Sequence, residues 1–310
     1  MEARARLQHV LVGEPVDRPP LCLWHHFRPH GSPEALAEAT LAFFGELGLD
    51  LYKVMPDLPY PDPPLPLAAG AAWETLPRLG AAPGGALAGM PAAVALVRQG
   101  RPDAVVLATV FSPLALALRW AGGGPGLSRV ATAAPDALQR GLATVADNVA
   151  EVGARCLAAG ADGIYFATAG LGDGLLSADA YRTWGRPFDL RALDGCASGW
   201  CNVLHMHGSR DLHWEQVSDY PVPVFSWSDR QTGVGLAEVA KALPGKTVMG
   251  GIDEAGPVVH GDVAALAAEI RDAVRQTGGR RLILAGGCSV PDDIPPQHLQ
   301  AAAQIVARLG

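Results

Sequence analysis

Cysteine and lysine are scarce in this 310-residue chain. The five cysteines, Cys22, Cys156, Cys196, Cys201 and Cys288, are too few and odd in number for a disulfide framework. Only Lys53, Lys241 and Lys246 are lysines, the other basic residues being arginine; that bias reads as codon usage and suggests no function by itself. Positive charge is also short: Lys+Arg 24 against Asp+Glu 31 leaves a net −7, so no general basic field exists for nucleic acid. Long hydrophobic runs are missing. The longest uncharged apolar stretch, residues 104–118, is shorter than the roughly 20 residues a membrane helix needs and contains Pro113. Residues 1–6 lead into an amphipathic segment with no apolar signal core and no small-residue cleavage site, so the expected location is the cytoplasm.

What remains is a globular composition, 49% hydrophobic and 18% charged, which excludes a wholly disordered chain. Short β-type runs recur at 20–24, 51–55, 104–109, 163–167, 202–205, 223–227, 246–250 and 281–285. Segments of 3.6-residue periodicity separate them, among them 34–47, 135–159, 178–193 (after Ser177 as N-cap), 263–277 and 297–309. Eight strands alternating with helices predict a parallel sheet, and eight is the number that closes a (β/α)8 TIM-type barrel. The competing architecture is an open doubly wound sheet, but no G-x-G-x-x-G follows the first strand. The Pro-rich stretch after the second strand, within residues 56–100, reads as an insertion that forms a lid or cap over the barrel mouth. Gly122-Gly123-Gly124-Pro125-Gly126 lacks the Lys-Ser/Thr of a phosphate loop and reads as a turn before a helix.

In such a barrel, chemistry sits at the C-terminal strand ends. His25-His26-Phe27-Arg28, Asp57, Thr168, His205-Met206-His207, Asp229, Asp253-Glu254 and Cys288 all fall there. His205-x-His207 is the sharpest signal, because residues two apart on an extended strand project to one side and two imidazoles can then face one metal. Imidazole suits zinc, and Cys288 would complete three protein ligands with a fourth position open. Taken singly, two strand-end histidines read equally well as hydrogen-bonded cleft residues, and Cys288 as a small buried hydrophobe. Cys196-x4-Cys201 reads as a loop entering the fifth strand. Asp17 and Arg18 read as fixing the N-terminal segment.

Gly13-Glu14-Pro15-Val16-Asp17-Arg18-Pro19-Pro20, Gly160-Ala161-Asp162-Gly163, Val203-Leu204-His205-Met206-His207-Gly208, Gly250-Gly251-Ile252-Asp253 and Gly286-Gly287-Cys288-Ser289 come in an ordered succession. Together they resemble the uroporphyrinogen decarboxylase superfamily, which implies a (β/α)8 barrel. The true decarboxylases carry an Arg-Gln-x-Gly-Arg block where this chain has His25-His26-Phe27-Arg28. Their tyrosine falls on Arg119 and their late histidine on Cys288. The chain looks closer to the zinc-dependent, corrinoid-linked methyltransferase branch, which binds metal through His-x-Cys and a late Cys. That resemblance implies zinc held by His205, His207 and Cys288, with His207 replacing the middle cysteine. Losing one thiolate makes the metal a stronger Lewis acid but a bound thiolate less nucleophilic. We read Asp57, His25, His26 and Arg28 as catalytic, donor-orienting residues and Thr168 and Asp229 as cofactor contacts, although Asp229 reads equally well as a strand-end turn acid. The implied partners are a small-molecule substrate, a corrinoid protein bringing the methyl group, and a second copy in a homodimer. The alternative from another class is a metal-free decarboxylase of a porphyrinogen or other polycarboxylate; a third is a barrel that binds a small ligand without turnover.

Overall fold

The computed structural model describes residues 1–27, 31–58, 60–63, 67 and 70–309. Its eight strands are β1 (Leu21–Cys22), β2 (Leu51–Val54), β3 (Val105–Phe111), β4 (Gly163–Thr168), β5 (Val203–Met206), β6 (Val224–Trp227), β7 (Thr247–Ile252) and β8 (Leu282–Gly286). Each lies within a residue or two of a run expected from sequence. Their order is β1-β8-β7-β6-β5-β4-β3-β2, with parallel pairing throughout, and helices connect them on the outside. This is the (β/α)8 barrel, rolled up to one seam between β1 and β2. At that seam a carboxylate helps to replace a strand ladder: Asp50 N–H donates to the Leu21 carbonyl at 3.1 Å, and Leu21 N–H donates to Asp50 Oδ2 at 2.9 Å.

Strand residues are buried almost without exception, because the barrel interior covers one face and the helices the other. The N-terminal helix Ala3–Val12 lies under the barrel, tied by Arg4 to Asp162 and by Arg6 to Asp17 and Asp50. Arg18 joins Asp50 as well, so Asp17 and Arg18 do fix the N-terminal segment. Ser32, Ser112 and Ser177 accept hydrogen bonds from the backbone N–H three residues on, capping their helices.

Two elements differ from expectation. The helix expected over 178–193 is two, Ala178–Trp184 and Arg186–Asp194. Pro187 has no N–H to donate back to Thr183 and its ring would meet that carbonyl, so the chain breaks at Gly185. Within 56–100, Gly89–Gly100 is the barrel's own helix between β2 and β3, lying beside helix Pro33–Leu47. The described part of the remaining insertion lies along helix Pro135–Ala158. Leu79 N–H donates to Asn148 Oδ1 at 2.8 Å, and Asn148 Nδ2 donates to the Pro77 carbonyl at 3.0 Å. Gly141 is needed there, since a Cβ would come within 2.8 Å of the Trp73 carbonyl oxygen. Among the described residues no helix is long and apolar enough to cross a membrane.

Candidate metal centre

β5 carries His205 at its buried end and delivers His207 just beyond it, while β8 turns through Gly286 and Gly287 to Cys288. One ring nitrogen of each histidine and the Cys288 sulfur lie within 4.8 Å of one another. Cys288 Sγ is 3.9 Å from His207 Nδ1. His205 is buried, its ring stacked 5.3 Å from Tyr165, and its Nδ1 is 3.5 Å from Ser226 Oγ. His207 is exposed and Cys288 half-buried, so the group opens toward the mouth.

The turn that aims Cys288 is held from below. Gly287 N–H donates to Glu254 Oε2 at 3.1 Å, and Ser228 Oγ donates to Glu254 Oε1 at 2.5 Å. Any side chain at position 287 is excluded, because a Cβ would stand 2.3 Å from the Ser228 Cα.

Electrostatics favour a thiolate at this place. Burial pushes the Cys288 thiol up, but the hydrogen bonds and charge of His205 and His207 outweigh it and bring it down to about 4. Burial lowers His205, while the hydrogen bond to Cys288 raises His207. Two imidazoles and a ready thiolate are a zinc donor set, so the residues fit the metal.

The three residues line a cavity of about 340 Å³ at the C-terminal end of the barrel, together with Trp24, His26, Lys53, Thr109, Tyr165, Thr168 and Arg119. A second cavity of about 300 Å³ shares Thr109, Phe111 and Arg119 with it and is walled by Pro56, Leu58 and Tyr60 of the insertion. The other sequence candidates divide. His26 lines the first cavity with its Nδ1 2.6 Å from Asp57 Oδ1, and Phe27 N–H donates to Asp57 Oδ2 at 2.8 Å. Asp57 thus holds the segment after β1 with both oxygens. His25 instead packs edge-on against Phe27 and Phe43, at 4.9 and 4.6 Å between ring centres. Arg28 lies outside the described residues. Thr168 lines the cavity, but its hydroxyl donates to buried Asp189 Oδ2 at 3.0 Å. Asp229 accepts from Gly251 N–H at 2.8 Å and pairs with Arg230, bracing the end of β7; burial pushes its carboxyl up to about 6. Cys196 and Cys201 are both buried, and Cys196 Sγ donates to the Ala192 carbonyl.

Sequence reasoning missed Lys53 and passed over Glu254 as a strut. Lys53 is 2% exposed and lines the cavity. Its Nζ sits 4.2 Å from the Tyr165 ring centre, 4.8 Å from that of Trp24 and 3.1 Å from Met55 Sδ. The signal was present: a lysine inside Leu51-Tyr52-Lys53-Val54, a strand that must be covered on both faces.

The family model for uroporphyrinogen decarboxylase (URO-D) matches residues 59–309. Among solved structures, a methyltransferase from Methanosarcina mazei superposes with a TM-score of 0.79 at 19% identity, over 99% of both chains. A B12-independent methionine synthase from Shewanella sp. W3-18-1, in complex with selenomethionine, gives 0.60 at 15% identity over 96% of both. A putative vitamin-B12 independent methionine synthase from Listeria monocytogenes gives 0.53 at 11% identity, over 90% of this chain and 87% of that one. At these identities the likeness is one of fold. No curated protein sequence matches the chain.

Proposed function

The chain belongs to the uroporphyrinogen decarboxylase family, and from that premise we propose that it is a zinc-dependent enzyme transferring a methyl or similar one-carbon group to a thiol or another small anionic acceptor. The observation that carries the proposal is the convergence of His205, His207 and Cys288 within 4.8 Å at the open end of the barrel. Bound there, zinc would act as a Lewis acid that lowers the pKa of an acceptor thiol. The remaining work falls to the chain. Ser226 and Tyr165 hold the His205 ring, Glu254 holds the turn that presents Cys288, and His26 stands in the mouth braced by Asp57. The cavity beside the metal ligands suits a small acceptor, and the mouth it opens to is where a donor would be presented from outside. The donor in this reading is a methylated corrinoid brought by a partner protein. That two structural neighbours are described as B12-independent makes the donor the first variable to test.

A decarboxylase of a polycarboxylate would need several free cations facing its substrate. The described lining residues supply Lys53 and Arg119, and Arg119 is paired with Asp62.

Protein purified without chelator should contain about one zinc per chain. His207→Ala and Cys288→Ala should each release it while circular dichroism stays unchanged, and X-ray absorption should show mixed nitrogen and sulfur scattering. Zinc-loaded protein given methylcobalamin and 3-mercaptopropionate should demethylate the cobalamin. A folded protein that takes up no zinc, or one that converts uroporphyrinogen to coproporphyrinogen efficiently, would defeat the proposal.

A further inference from the structure

Lys53 is a buried cation with no anion assigned to it. Among the described residues no carboxylate comes within ion-pair distance of its Nζ, which is flanked by the rings of Trp24 and Tyr165 and the sulfur of Met55. Aromatic faces attract an ammonium but leave most of its three donors unused. The ionisable groups around it, Asp57, Cys22 and Cys288, act on it only through space. Asp57 has both oxygens engaged by His26 and Phe27. Burial pushes the neighbouring Cys22 thiol up to about 12, so that thiol is uncharged. Cys288 is turned to the histidines. On the adjacent strand, Thr109 is equally buried, at 3% exposure, and its hydroxyl has no hydrogen-bond partner among the described residues. β2 and β3 are paired with Val54 opposite Ala108, so Lys53 and Thr109 lie on neighbouring strands, and both line the cavity that holds the metal-site residues.

We propose that Lys53 and Thr109 form a binding site for one small oxyanion group of the substrate, a carboxylate, sulfonate or phosphate. An apolar ligand would leave both groups unsatisfied, and a cationic one would meet Lys53 with like charge. A single oxyanion can accept from the ammonium and the hydroxyl together, and in an apolar cavity a charge-assisted bond of this kind is strong. Burial lowers the Lys53 amine to about 8, which leaves it mostly protonated at neutral pH. The site stands on β2 and β3 and does not depend on the metal, so it can fail or succeed separately from the proposed function. If both hold, the acceptor is a thiol whose far end is anionic.

The scarcity of lysine makes the test direct. Protein labelled with 13C at lysine Cε should give three side-chain signals, and Lys53→Met identifies the one from Lys53. Acetate, methanesulfonate and inorganic phosphate are titrated separately at constant ionic strength, with acetamide as the uncharged control and zinc content measured on the same samples. At least one oxyanion should shift the Lys53 signal saturably, leaving Lys241 and Lys246 unmoved, and the one that binds best identifies the substrate's anionic group. Calorimetry should find that anion bound about 10- to 100-fold more weakly by Lys53→Met and about 2- to 10-fold more weakly by Thr109→Val. Failure of all three oxyanions to move the Lys53 signal, or variants that bind the anion as the wild type does, would overturn the proposal whatever the zinc content.

Discussion

The two ends of the barrel treat buried charge in opposite ways. At the N-terminal end, Asp50 and Asp162 precede β2 and β4 and both are saturated. Asp50 takes Arg6 at 2.6 Å, Arg18 at 2.7 Å and Leu21 N–H at 2.9 Å. Asp162 takes Arg4 and Arg98 at 2.6 Å, Val106 N–H at 2.9 Å and Trp200 Nε1 at 3.0 Å. At the C-terminal end, among the described residues, Lys53 has no carboxylate within ion-pair distance, the Thr109 hydroxyl has no hydrogen-bond partner and one Asp189 oxygen is unsatisfied. A charge with every bond made stabilises one conformation and has nothing left to offer a ligand. A charge left open costs stability and is retained where something else completes it. The contrast separates a face that holds the fold from a face built for binding, as barrels of this type divide their two ends.

The largest effect expected is at the saturated end. Burial raises the Asp162 carboxyl, but Arg4, the Val106 amide and Trp200 together hold it below the ordinary carboxylate value. A depressed folded pKa contributes stability above the unfolded value, and that stability is lost as pH falls through the folded one. Asp162→Asn should therefore lower unfolding free energy at pH 7 by about 3 kcal/mol, since it strands two arginines. In guanidinium melts the gap from wild type should narrow below about pH 4. A variant as stable as wild type would mean that the arginines, reaching solvent, need no partner, and the contrast between the two ends would dissolve.

A smaller effect of opposite sign is expected beside the open end. Burial pushes the Asp189 carboxyl up to about 7, against the pull of the Tyr181, Thr168 and Tyr220 hydroxyls. For an acid with a raised folded pKa, stability is fullest below the unfolded value and declines as pH rises toward the folded one. Wild type should thus lose about 2 kcal/mol relative to Asp189→Asn between roughly pH 4 and 7. Parallel pH profiles for the two proteins would show that Asp189 is ionised in the fold like any surface acid.

How much of this was legible in sequence follows the same division. The strands were readable because short apolar runs alternate with helical periodicity, and the pairing of His205 with His207 because residues two apart on an extended chain share a side; Cys288 was joined to them only through the family resemblance. The β1–β2 seam was not, since nothing in the pattern says that the Asp50 side chain will stand in for a ladder partner. Asp229, Asp57 and Thr168 look alike as polar strand-end residues, and only the folded chain shows Asp229 bracing a backbone amide and Asp57 clamping a loop. Lys53 was hidden by its own rarity: three lysines read as composition until the barrel placed one of them inside.

Lys53 also sets the smallest and most discriminating expectation. Burial lowers its amine to about 8, so the unfolded chain, with an ordinary lysine near 10.5, binds the proton more tightly between those values. Stability must then rise with pH across that interval, and below about pH 8 the full cost of burying the ammonium is present. Trp24 and Tyr165 return part of that cost through their ring faces. Lys53→Met removes the charge at similar volume and should be more stable than wild type by about 1 kcal/mol at pH 7, with the gap closing toward pH 10.5. Thermal or denaturant melts at the two pH values decide it. A variant clearly less stable than wild type at pH 7 would show that Lys53 is already satisfied by the protein, and the C-terminal end would lose the open charge that sets it apart from Asp50 and Asp162.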